Sequence, residues 1–157
     1  MHARILSGLA ALAVAVGLTT TGAGAASATG DPDWLPGTGF PAGTAVWNIH
    51  HCVELVVGVR GDQDGIFLIG SNGNTIWKKT TGVYYGHPAI VTFNTAGDFT
   101  LQGWEASRAS AGGYALMWHS STDGEHAGDL KLQADGNLVI YDVTGKPLWA
   151  SNTFHTC

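Results

Sequence analysis

Charge is scarce in this 157-residue chain. Asp, Glu, Lys and Arg make up 12% of it, with 7 basic residues against 12 acidic ones and a net charge of −5. A surface of this sign repels a phosphate backbone, so nucleic acid is not expected as a partner. The anionic headgroups of a membrane are disfavoured for the same reason. Long apolar runs are missing as well. The longest, Ile5 to Leu18, falls short of the roughly 20 residues a membrane-spanning helix needs. Proline numbers only 5, and three of the five fall in residues 29–45. Cysteine numbers 2.

That short apolar run has its own meaning. A positive start at Met1 to Arg4 precedes it, and small-residue exits ending at Ala25 and Ala28 follow. This is the layout of a secretory signal peptide over residues 1–28. The mature protein is expected to be exported and soluble, and loss of Arg4 makes it one unit more negative. In an exported chain Cys52 and Cys157 point to a disulfide, with an intermolecular bridge or a reduced pair as the alternatives. An internal bond would close a loop of about 105 residues, worth about 4–5 kcal/mol in the chain-entropy model.

Glycine, at 23 residues, is abundant, and Val, Ile, Thr and Trp fill short alternating runs between the glycines. One all-β domain with tight turns is expected. Residues 29–45 form a Pro/Gly-rich N-terminal lead-in, and "LPGTG" within it reads as a turn. Residues 46–157 form the domain itself, and from Val53 onward it repeats three times. Each copy ends on a large apolar residue followed by tryptophan: Ile76-Trp77, Met117-Trp118 and Leu148-Trp149. From the residue opening the central strand to that tryptophan is 12 positions from Gly65 and from Asn137, but 20 from Asp98. Copy two therefore holds an eight-residue insertion around "WEASRASAG".

Alternation sends Ile66/Leu68, Phe99/Leu101 and Leu138/Ile140 to one face of their strands. Hairpins with one apolar face are unstable singly. Three antiparallel sheets in pseudo-threefold arrangement would bury those faces together, with Trp77, Trp118 and Trp149 as the largest core filling.

The outward face of copy three carries the chemistry. Gln133, Asp135, Asn137, Val139 and Tyr141 recur at every second position of "LQADGNLVIY". Carboxylate, amide and phenol groups around one apolar spot suit the hydroxyls and C–H patch of a sugar, and no metal is needed. These five residues match in full the Q-x-D-x-N-x-V-x-Y signature of the bulb-type mannose-binding lectins, which this chain resembles over about residues 35–157. The resemblance implies the β-prism II fold and a lectin for mannose or mannose-containing glycans, with no cofactor. It implies that Asp135 and Asn137 hold the axial O2 of mannose, Gln133 its O3 and Tyr141 its O4, with Val139 against the ring carbons. It also allows a homodimer formed by exchange of C-terminal strands through "WASNTFHTC". Plant members close a short internal disulfide loop, so the resemblance does not support a Cys52–Cys157 bond.

The other two copies depart from the signature. Copy two has Asn94, Ala96, Asp98, Thr100 and Gln102, which leaves Asn94, Asp98 and Gln102 as a weak second site at most. Copy one has roughly Gly61, Gln63, Gly65, Phe67 and Ile69, and is expected not to bind. Its Phe67 and Ile69 would be exposed, as ordinary surface or as a partner interface. Trp104, in the insertion, would either stack on a sugar ring or pack on its own loop.

Rival readings are weaker. "RGD" at 60–62 is a short tripeptide in a turn and carries little weight, and "DQDG" at 62–65 lacks the acidic and Glu positions of a calcium loop. In His50-His51-Cys52 neighbours on a strand face opposite ways, and Cys52 is expected to be oxidised. A glycosidase needs a second carboxyl about 5–9.5 Å from Asp135, and its strand offers none. Lectin-like bacteriocins use the same fold, but usually as two tandem domains.

Overall fold

The structure is a computed structural model that describes residues 30–154, apart from positions 85 and 112 and the side chains of 109–111. The expected signal peptide and Cys157 lie outside the described residues.

Alternation and turns divide the described chain into twelve strands. Residues 33–47 supply β1 (Asp33–Trp34), β2 (Thr38–Phe40) and β3 (Ala45–Trp47). Copy one forms β4 (Val53–Arg60), β5 (Gln63–Gly70) and β6 (Thr75–Val83). Copy two forms β7 (Ile90–Phe93), β8 (Phe99–Trp104) and β9 (Tyr114–His119), and its insertion is a 3-10 helix, Ala106–Ala111. Copy three forms β10 (Ala127–Leu132), β11 (Leu138–Asp142) and β12 (Pro147–Ala150). They pair into three antiparallel four-stranded sheets in the orders β1-β10-β11-β12, β2-β7-β8-β9 and β3-β4-β5-β6. The fold is an all-β prism. The lead-in is more than a linker: together with Val46 and Trp47, the first residues of the expected domain, it visits all three sheets in turn and completes each with one short strand.

The threefold repeat is visible in the register. Val46, Leu55, Leu68 and Trp77 align across one sheet. Phe40, Val91, Leu101 and Trp118 align across the second. Trp34, Leu130, Ile140 and Trp149 align across the third. Each rung has its two central members at 0–2% exposure, and together they form one cluster. Full burial of such a side chain contributes about 1.5–3 kcal/mol.

The tryptophans require a correction. Trp77, Trp118 and Trp149 are only partly buried, while the largest fully buried side chains include Phe67, Phe93 and Phe99. The reason is their place at the edge strand of each sheet, where they meet one another with ring centroids 5.6–5.8 Å apart. They close the prism axis instead of filling it. Trp34, unremarked in the sequence, is the more deeply buried indole, packed edge-on against Phe40 at 5.3 Å.

Candidate functional site

Copy three builds its site on the turn between β10 and β11. Gln133 N–H donates to Asn137 O at 2.8 Å, and Gly136 N–H donates to Gln133 O at 2.9 Å. Gly136 has φ +87°, a left-handed conformation that glycine adopts without a Cβ penalty. The Asp135 carboxylate accepts the Asn137 N–H at 3.0 Å, which holds the turn from within. Across the strands, Gln133 Nε2 donates to Tyr141 Oη at 2.7 Å.

Asn137 is held from behind. Its Oδ1 accepts from Ser151 Oγ at 3.0 Å and from Thr153 N–H at 3.2 Å. With the carbonyl end tied down, the Nδ2 amide is directed the other way. Asp135 is exposed, and Gln133, Asn137 and Tyr141 are half-buried. Val139 differs from expectation: it lies outside the central cluster, on the side away from Leu138 and Ile140, yet is only 3% exposed. Alternation chose its face correctly, but Lys131 and Ala150 flank it in register and leave little of it open. Lys131 adds a cation beside the site, 3.2 Å from Asp129 and 6.0 Å from the Tyr141 ring. The Asp129 carboxylate holds the Lys131 ammonium above its ordinary range.

Copy two keeps the same frame with different chemistry. Asp98 stands where Asn137 stands, and its Oδ1 accepts from Ser120 Oγ at 2.7 Å and Thr122 N–H at 3.1 Å. Its Oδ2 meets His119 Nδ1 at 2.7 Å. Exposed Asp123 brings a third ligand-type atom within 4.8 Å of these two. Asn94 spends its Oδ1 on the N–H groups of Ala96 and Asp98, at 2.9 and 3.1 Å. Two of the three groups named for a weak second site thus already have internal partners; Gln102 remains half-buried between Ile90 and Leu116.

Burial alone would raise the Asp98 carboxyl, but Ser120, the Thr122 N–H and His119 together hold it below the ordinary carboxylate range. A carboxylate depressed in the folded state stabilises above its unfolded value of about 3.9, and that stability is lost as pH falls through the folded value. The melting midpoint is therefore expected to drop below about pH 4, and to drop less steeply in Asp98→Asn. Circular-dichroism melts between about pH 5 and 2 check this; equal slopes would refute the role of Asp98.

Copy one has no such frame. Gly65 occupies the Asn137 position, and a Cβ there would lie 2.1 Å from Lys79 O on the neighbouring strand. Phe67 and Ile69 are not exposed as expected: they are 2% and 4% accessible. Val56 and Lys78 flank Phe67, and Glu54 and Thr75 flank Ile69, so the outer face of this sheet is covered by its own cross-strand neighbours. Trp104 packs on its own loop. His87 stacks on it at 3.9 Å, and a Cβ on Gly113 would fall 1.9 Å from its ring, so the Gly113 backbone lies flat against it.

One signal for the frame was present in the sequence. Trp-x-Ser-x-Thr closes copies two and three, as Trp118/Ser120/Thr122 and Trp149/Ser151/Thr153, whereas copy one has Trp77/Lys79/Thr81. The Ser and Thr are the groups that hold Asp98 and Asn137. Lys131 and Asp129 carried no recognisable signal.

No protein-family model matches the chain. It is 34% identical over 61 residues to the B-type lectin plumieribetin of Scorpaena plumieri, a stretch covering 39% of this chain and 45% of that relative. The match thus spans less than half the relative's length. Among solved structures, a Marasmius oreades lectin superposes with a TM-score of 0.59 at 26% identity, covering 82% of this chain and 95% of that one. Monomeric mannose-binding lectins of Gastrodia elata give a TM-score of 0.59 at 22% identity, covering 79% and 98%. The β-prism is therefore the fold shared with these lectins.

Proposed function

We propose that this protein is a bulb-type lectin that binds mannose or mannose-containing glycans through copy three, without metal. The observation that carries the reading is the Asn137 frame. Ser151 and Thr153 fix the carbonyl end of Asn137, two residues after exposed Asp135, and Gln133 is linked to Tyr141 across the strands. A pair of vicinal sugar hydroxyls finds there an acceptor, a donor and a phenol within one turn and one strand. The lectin relatives and the shared prism support the same class.

About four net hydrogen bonds at roughly 1 kcal/mol each give a Kd near 1 mM, so useful avidity needs a branched glycan or a second copy. Export through residues 1–28, a Cys52–Cys157 bond and a homodimer belong to the same proposal. A glycan array, followed by calorimetry with methyl α-mannoside, tests it. Asp135→Ala is expected to weaken binding at least tenfold while the melting midpoint stays within a few degrees, because Asp135 is exposed and bonds only within its turn. Unchanged affinity would reject the assignment.

The Ser120, His119 and Asp98 group is not arranged as a nucleophile and its base. Ser120 sits beside His119 and Asp98, but its hydroxyl donates to the carboxylate and not to the imidazole. A nucleophile needs the base at its own oxygen.

A further inference from the structure

The prism is a ring of three copies, and the contacts between the segment entering one copy and the central hairpin of its neighbour differ around it. At the first junction the Ala89 N–H donates to Asp64 Oδ2. At the second, the Gly124 N–H reaches Ala96 O at a long 3.4 Å. The third junction closes the ring, joining the start of copy one to the turn of copy three, and it is built differently.

Asn48, 1% exposed, follows β3 and stands between the two. Its Oδ1 accepts from the N–H groups of Cys52 and Val53, at 3.0 and 3.2 Å. Its Nδ2 donates to Gln133 O at 3.1 Å and Ala134 O at 3.0 Å, with Cys52 Sγ also at 3.1 Å. His50 Nδ1 lies 3.1 Å from the same Ala134 O. Gln133 and Ala134 are the first two residues of the turn that carries Asp135 and Asn137. Their carbonyls are thus held by a buried side chain more than 80 residues away in sequence. Among the described residues, no side-chain amide bonds the carbonyls of the other two turns in this way.

We propose that Asn48 is a positioning residue for the copy-three site, a latch that sets the backbone from which Gln133, Asp135 and Asn137 project. This rests on the proposed sugar-binding role of that turn. A latch of this kind keeps the groups oriented before the ligand arrives, so its loss shows as weaker binding even in a folded protein.

Two variants separate the functions of the amide. Asn48→Ser keeps a hydroxyl acceptor near Cys52 N–H but is too short to reach Gln133. Asn48→Asp keeps the acceptor and turns the donor into an oxygen facing two carbonyls. Each is expected to weaken methyl α-mannoside binding at least tenfold by calorimetry, and to speed amide exchange at Gly136 and Asn137 at least tenfold, with Gly97 of copy two unchanged. Ser120→Ala, which loosens copy two, serves as the control and should lower the melting midpoint without altering the Kd. If one Asn48 variant fails to fold, the other decides. Parent-like affinity in a folded Asn48 variant, an equal loss in Ser120→Ala, or unchanged exchange at Gly136 overturns the proposal. Should the parent bind no mannoside, the proposed function fails by itself, and the exchange measurement alone decides the latch: faster exchange at Gly136 upholds it, unchanged exchange removes it.

Discussion

Asn137→Asp is expected to lose mannoside affinity by about 30-fold while the protein stays folded. The two halves of the side chain have separate duties. Oδ1 accepts from Ser151 and Thr153, and a carboxylate oxygen can do the same, as Asp98 does toward Ser120 and Thr122 in copy two. The fold already tolerates an acid in this frame. What changes is the outward end: a donor becomes a charged acceptor, close to the Asp135 carboxylate. Loss of one donated bond with no replacement costs about 2 kcal/mol, which corresponds to that 30-fold change. Calorimetry measures the affinity, and circular dichroism checks that the midpoint moves by only a few degrees. Asn137→Ala is a poorer test, since it strips Ser151 and Thr153 of their acceptor and mixes stability with binding. If Asn137→Asp binds as the parent does, the amide is not a ligand contact and copy three loses its central group.

The largest expected loss of stability comes from a single carbon. Gly65→Ala places a Cβ 2.1 Å from Lys79 O and 2.8 Å from Thr80 Cα. Both are backbone atoms of β6, which is paired with β5 from Gln63↔Val83 through Ile69↔Thr75, so neither can swing aside. Relief requires the strands to separate where Ile66 and Leu68 enter the core at 0% exposure. Overpacking against backbone of this kind costs about 3 kcal/mol, and a shift of about 10 °C in the melting midpoint is expected. Calorimetric melting measures it, and a shift under about 2 °C would show that the strands part freely. The same geometry explains why copy one has no polar frame. Strand β6 occupies the space that Asn137 and Asp98 fill in the other copies.

The outward groups of copy three were legible because a strand's two faces alternate strictly, so Leu138 and Ile140 in the core fix the faces of Asn137 and Tyr141. Exposure was not legible in the same way. Phe67, Ile69 and Val139 sit on the predicted face and are nevertheless buried, since cover on a sheet comes from cross-strand neighbours distant in sequence. The Trp-x-Ser-x-Thr endings were readable as a repeat, but their task of holding Asp98 and Asn137 depends on register between strands.

From the chain alone came the threefold hairpin, the inward apolar rows, the tryptophan at each copy's end and the one intact set of polar positions. All of these are local periodicities, and local periodicity follows from backbone geometry. Only the folded molecule decided that residues 33–47 complete every sheet, that the tryptophans close the axis from the edges, and that Asn48 grips a turn more than 80 residues away. Those depend on which segments meet in space, and a lone buried asparagine or a two-residue strand has no period to announce it.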